Sequence, residues 1–176
     1  VGVTGPILGP ADWQGITFGT LTSNSQTEAI RALGATPEQI FGKERDEGLE
    51  NGTIDGFETS IWIHQHNTAL AYLAPYVTTN VTLWPQMDVL LANPARLEAL
   101  SAEQRGWLED AARDAARSSS LADTDAEALV DSCRAGARFA EASDTDLAAL
   151  EAAFAPTYAK LDHHPEWSNV WNRVEI

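Results

Sequence analysis

A chain of 176 residues with 11 basic against 26 acidic side chains has a formal net charge of -15, so long-range repulsion opposes nucleic acid and anionic membrane surfaces as partners. That length suits one domain able to bury roughly 70% of its unfolded-chain surface, so no staple is required, and the one cysteine, Cys133, permits no internal disulfide. No run approaches the roughly 18 apolar residues needed to span a bilayer, which argues against direct membrane insertion.

Asp12-Trp13-Gln14-Gly15 reads as a turn, and Ile16 to Thr22 then alternates apolar and polar residues with β-branched side chains, the pattern of a half-buried strand. Asn24 and Ser25 are placed to cap the next helix, because a side-chain oxygen there accepts from the free amides of the first turn. Ala29, Ile30 and Leu33 form its apolar stripe, and Gly34 ends it. A second short helix around Glu44 to Glu50 stops at Asn51-Gly52, and Thr53 to Phe57, short, apolar and glycine-bounded, reads as another buried strand. The stretch therefore alternates β-α-β-α-β, which predicts a mostly parallel sheet covered by helices. Ligands of such sheets sit off the carboxyl ends of the strands, here near Thr20 and Ser23 and again at Glu58, Thr59 and Ser60.

Beyond Thr59 the pattern turns helical. Ile61 through Leu73 is expected as one helix stopped by Pro75, followed by strand over Tyr76 to Leu83 and a further strand over Met87 to Ala92. Pro94 opens a short helix to Leu100. Ser101 and Gln104 have the capping-box spacing, and Trp107, Leu108, Ala111, Ala112 and Ala115 recur at helical intervals. This long helix is read as far as Arg134, with room for a break near Ser118-Ser119-Ser120. Ala137 to Glu141 reads as a last short strand, Ser143 or Asp144 caps a helix to about His163, and Trp167 and Trp171 mark one packing face of a terminal helix.

Few residues suggest chemistry. Cys133, within a helix and with no base beside it, is expected to be a small core residue. His64 and His66 are two apart on a predicted helix and point in different directions, so they do not make the i, i+4 pair of a helical zinc site. His163-His164 suit exposed positions at a helix end, where a cation favours the dipole. Asp55 and Glu58 resemble a carboxylate pair, yet no acid, base and nucleophile set converges on them, so neither an enzyme nor a cofactor is expected. Glu58 leaves its strand at the expected ligand edge, where it can accept hydrogen bonds from a solute or take part in cation binding. Trp62 and Trp84 are candidates for a flat apolar wall beside it, against the alternative of ordinary core packing.

Asp12-Trp13-Gln14-Gly15, then Arg31-Ala32-Leu33-Gly34-Ala35-Thr36-Pro37, then Leu49 through Glu58 resembles the extracytoplasmic solute receptors of TRAP transporters. Those carry Asp-x-x-Gly before a strand, Ala-Leu-Gly-Ala-x-Pro at a helix end and Ala-Leu-x-x-Gly-x-x-Asp-Gly-x-Glu. The similarity continues at Asn93 to Leu100, at Ser101 to Arg105 and at Ser143 to Leu147, so it covers nearly the whole chain. It implies an α/β, periplasmic-binding-protein-like lobe with a long C-terminal helical region. Residues 1–100 are expected as the ligand-binding lobe and 101–176 as the bracing helix, short strand and C-terminal helices of the same domain, with the N-terminal lobe missing. The implied activity is binding of a small organic acid by hinge closure in a cleft lined here by Thr20, Glu58, Thr59, Trp62 and Trp84. The implied partner is a TRAP membrane permease, and the implied place is the periplasm or another extracytoplasmic compartment.

Two departures bear on the ligand. The family's first strand normally carries an arginine that pairs with the solute carboxylate, and here that position is Gly19; the nearest basic residues, Arg31 and Lys43, lie on or after helices and do not replace it. The Asn-Pro that commonly follows Gly-x-Glu is here Thr59-Ser60. A less acidic or more apolar ligand, a metal-bridged one, or loss of ligand binding all stay open, the last leaving a lobe repurposed as a protein-interaction module.

Overall fold

A computed structural model describes residues 1–84, 89–120 and 125–162. In chain order its elements are β1 (Thr17–Thr20), α1 (Asn24–Leu33), β2 (Thr36–Gln39), α2 (Lys43–Asn51), β3 (Gly56–Phe57), α3 (Ile61–His66), α4 (Thr68–Leu73), β4 (Tyr76–Thr78), α5 (Pro94–Glu98), α6 (Ala102–Ser120), α7 (Asp125–Arg134), β5 (Arg138–Ala140) and α8 (Asp144–Asp162). They fall into two units, one made of Val1–Val81 with the chain from Ala128 onward, the other of Thr82–Glu127.

The first unit is built on parallel pairing. β1 lies between β2 and β3, with Thr17 opposite Thr36 and Gly19 opposite Phe57, and β4 pairs with β5. Gly2 bridges antiparallel to both Gly56 and Tyr76, so the first residues join the two ladders. Helices flank this sheet, as the alternation of short apolar strands and amphipathic helices predicts.

Local chemistry explains the boundaries. The α1 cap is Ser23, one residue before the expected Asn24 and Ser25, and its hydroxyl accepts from the Gln26 amide. Gly34 closes the helix at φ 97°, a left-handed conformation that would strain any residue with a Cβ, and its amide returns to the Arg31 carbonyl. Thr27, Ala29, Ile30 and Leu33 are the buried face of α1, which packs on α8. On β1, Phe18 is buried against the Trp13 ring, with centroids 4.7 Å apart. A second cluster joins Leu49 of α2, Ile54, Phe57 of β3, Leu70 of α4 and Ala74, with Ile40 and Leu73 packed around it.

Several expectations need correction. Ile61 through Leu73 is two helices: Asn67 sits in extended conformation (φ -106°, ψ 95°), and its side-chain oxygen accepts from the Ala69 amide, so it ends α3 and starts α4. β4 stops at Thr78, and Val89 to Ala92 form no strand, Met87 lying outside the described residues. Cys133 is exposed, because the buried positions of α7 are Ala128 and Ser132, four residues apart on one face, and Cys133 lies about 100° round the helix from Ser132. His163, His164, Trp167 and Trp171 lie outside the described residues.

In the second unit the capping box at Ser101 is complete: its hydroxyl accepts from the Gln104 amide at 3.1 Å, and the Gln104 side chain accepts from the Ser101 amide at 2.9 Å. α6 then presents Trp107 and Leu108 to solvent.

Candidate functional site

The carboxyl ends of β1 and β3 lie side by side, because Gly19 pairs with Phe57 in a parallel ladder. The next residue on each strand carries the polar chemistry. The Thr20 hydroxyl, 1% exposed, donates to Oε1 of Glu58 at 2.8 Å, and the Leu21 amide donates to the same oxygen at 3.0 Å. Glu58 is thus tethered through one oxygen, while its Oε2 makes no hydrogen bond among the described residues. Beyond it, the Thr59 hydroxyl donates to the Ser60 carbonyl, and the Ser60 side chain caps α3 by accepting from the Ile63 amide at 3.1 Å. Asp55 is structural: its Oδ2 accepts from the Thr17 amide and so ties the start of β3 to β1.

Each chain segment leaving the sheet at this edge exposes a large apolar side chain. Leu21 follows β1, Phe41 follows β2 and Trp62 follows β3, at 45%, 71% and 46% exposure. Trp62 stacks on His66, with rings 4.0 Å apart, and His66 donates from Nδ1 to the Trp62 carbonyl. The result is a buried polar tie with an open apolar rim, a composition typical of small-solute sites. Of the five candidates, Thr20, Glu58, Thr59 and Trp62 therefore share one sheet edge. Trp84 is half-buried and belongs to the second unit. Among the described residues no group of acidic, histidine or cysteine side chains has the arrangement of a metal site.

Residues 1–163 match the family described as bacterial extracellular solute-binding protein, family 7. This chain belongs to that family. A relative, the ectoine-binding periplasmic protein TeaA of Halomonas elongata, is 35% identical over 108 residues, which is 61% of this chain and 31% of TeaA. The solved structure of the periplasmic ectoine-binding protein from the TeaABC TRAP transporter of that organism superposes with a TM-score of 0.79 at 23% identity, covering 96% of this chain and 56% of the other. A TRAP periplasmic solute-binding protein from Desulfovibrio salexigens with bound orotic acid gives 0.81 at 22% identity, covering 97% and 56%. These structural likenesses establish the fold, and the chain spans about half the length of the solved relatives, 56% in each case.

Within this family 7 chain, position 19 is tight. A Cβ built on Gly19 would lie 3.1 Å from Ile40 Cγ2, 3.1 Å from Phe57 Cβ and 3.2 Å from Ile54 Cδ1, so these core side chains would have to give by a few tenths of an ångström to admit a longer residue. The sheet face shared by Gly19 and Phe57 holds a cation that the sequence reading passed over. Arg45 is only 8% exposed, and its guanidinium carbon sits 4.7 Å from the centroid of the Phe57 ring. The available signal was helical spacing: Arg45 precedes the buried Gly48 by three residues and the buried Leu49 by four, so all three share one face of α2.

His64, two residues beyond Trp62, is 1% exposed. Its Nε2 meets the Ala74 carbonyl at 3.1 Å and must donate there, which leaves Nδ1 as an unprotonated atom with no partner among the described residues. Burial holds its pKa below the usual histidine value, an effect partly offset by the carbonyls of Ala74 and Leu70. The unfolded chain therefore binds a proton near pH 6.5 that the folded chain resists, so stability rises with pH in this window. The stabilisation is complete above about pH 6.5 and is lost as pH falls from there toward the folded pKa. Thermal unfolding followed by circular dichroism should show a midpoint that falls as pH drops below about 6.5, and His64→Leu should lessen that fall. An unchanged slope in the variant would assign the pH dependence to other groups.

Proposed function

We propose that this chain is the ligand-contacting part of a TRAP-type solute receptor, holding a small organic acid or related polar solute against the carboxyl edge of β1, β2 and β3. The supporting observation is the buried Thr20–Glu58 tie surrounded by exposed Leu21, Phe41 and Trp62. Thr59 and Trp62 line the same edge. Residues 1–100 act as the ligand-binding lobe and 101–176 as its brace. The relatives named above are an ectoine-binding protein and a structure with bound orotic acid, both periplasmic, which supports a solute of that size and an extracytoplasmic location.

In this reading the solute bridges the edge to a second lobe and drives hinge closure, since a ligand that touches one lobe alone cannot favour the closed state. The closed receptor then delivers the solute to a membrane permease. A thermal-shift screen of the full-length gene product against carboxylates, sugar acids, ectoine, amino acids and neutral solutes tests the proposal, because a solute bound only by the native state raises the midpoint. One or more hits are expected. A folded protein silent across the panel would favour the protein-interaction reading.

A further inference from the structure

We propose that Arg45 supplies the positive charge of this site and binds a carboxylate of the solute, an inference that rests on the receptor reading above. α2 begins four residues after the carboxyl end of β2, so Arg45, in its first turn, stands at the ligand edge of the sheet. Its guanidinium lies over the ring of Phe57, the last residue of β3 and the neighbour of Glu58 in sequence. Stacking on an aromatic face fixes the plane of the fork and excludes water from one side of it.

The hydrogen bonds that Arg45 makes leave the productive edge open. Both go to one oxygen: Nε at 2.9 Å and Nη2 at 2.6 Å donate to Oδ1 of Asp46. Nη1 makes no hydrogen bond among the described residues. The end-on Nη1/Nη2 edge, which matches a carboxylate bidentately, is thus available, while the Nε/Nη2 side is held in an ion pair by the Asp46 carboxylate, which fixes its orientation and offsets part of its charge. Nη1 is not among the buried side-chain atoms left without a partner, so it is open to solvent and a solute carboxylate can reach it from that side.

The surrounding charges sharpen the assignment. Lys43, in the same turn, is 87% exposed along its side chain and paired with Glu47. Glu58 repels an acid at the same edge. An acidic solute held near Glu58 needs a fixed cation, and Arg45 is a buried one on the sheet face that Gly19 leaves without a side chain. The ligand class that follows is a solute with one carboxylate directed at α2 and a hydrogen-bond donor or apolar body directed at Glu58 and the rim.

The test uses matched probes that differ by a carboxylate, orotate against uracil and D-glucuronate against D-glucose, titrated calorimetrically into the full-length gene product and its Arg45→Gln and Arg45→Lys variants. The wild type should prefer at least one acid over its partner. Arg45→Gln should weaken that acid by about 10- to 100-fold, the range of a lost charge-assisted pair, and leave the carboxylate-free probe unchanged. Arg45→Lys, which keeps the charge but not the fork, should fall between. If Arg45→Gln does not fold by circular dichroism, the lysine variant decides, and undiminished acid binding by it overturns the proposal. Acid binding that is unaltered in Arg45→Gln, or equal weakening of acid and neutral probe, overturns it and leaves the receptor reading standing. Silence of the folded wild type toward every solute overturns both.

Discussion

Leu70→Ala is expected to lower the unfolding free energy by about 2–5 kcal/mol, a large part of the roughly 5–15 kcal/mol that holds a domain together. Leu70 is 0% exposed and touches the cluster of Leu49, Ile54, Phe57 and Ala74, which joins α2, α4 and β3. Truncation removes apolar area from that junction and leaves a cavity that the parallel strands cannot close by small shifts. Urea unfolding gives the number. Tyr72→Ala on the same helix is the control, since Tyr72 is 85% exposed and its loss should change stability by no more than about 0.5 kcal/mol. Equal effects at the two positions would mean that α4 is not packed as described.

That core was legible where the pattern was local. Glycines placed the ends of α1 and α2, β-branched and apolar residues placed β1 and β3, and the spacing of Ala29, Ile30 and Leu33 gave the buried face of α1. What failed depended on competition between neighbours. Asn67 divides a stretch that is apolar enough to run as one helix, because its side chain offers the backbone an alternative partner. Val89 to Leu91 have the composition of a strand but lie exposed, since β propensity acts only where a partner strand exists. Cys133 and Ser132 exchange the roles that hydrophobicity alone assigns them, because the phase of α7 is set by the packing of Ala128.

The site divides in the same way. That Thr20 and Glu58 meet at one sheet edge was legible from topology, because strand ends of a parallel sheet converge whatever their detailed sequence. Their direct bond, and the convergence of Leu21, Phe41 and Trp62 on one rim, required the register of β1 with β2 and β3. The burial of Arg45 was the larger omission. A charged residue in a helix of otherwise polar composition reads as solvated, and only the packing of α2 on β3 shows that its guanidinium lies buried over Phe57.

Glu58→Leu is expected to cost about 2–3 kcal/mol, because it strips a charge-assisted acceptor from a hydroxyl that is 1% exposed and from the Leu21 amide. Glu58→Gln keeps an oxygen in the same place and should cost about 1 kcal/mol. Adding Thr20→Val to Glu58→Leu should recover part of the loss, since a buried donor is then removed with its acceptor, and a coupling of about 0.5–2 kcal/mol from urea unfolding would measure the tie. Strictly additive costs would remove Thr20 as the partner. The glutamine variant also reads the charge of the solute, because it preserves the tether while neutralising the edge. An acid held by Arg45 should bind several-fold more tightly to it, since about 1.4 kcal/mol of relieved repulsion is a factor of ten. A solute that presents a cation to Glu58 should bind more weakly by a similar factor. The sign of that change, read by calorimetry beside the Arg45 variants, fixes which end of the solute faces β3 and which faces α2.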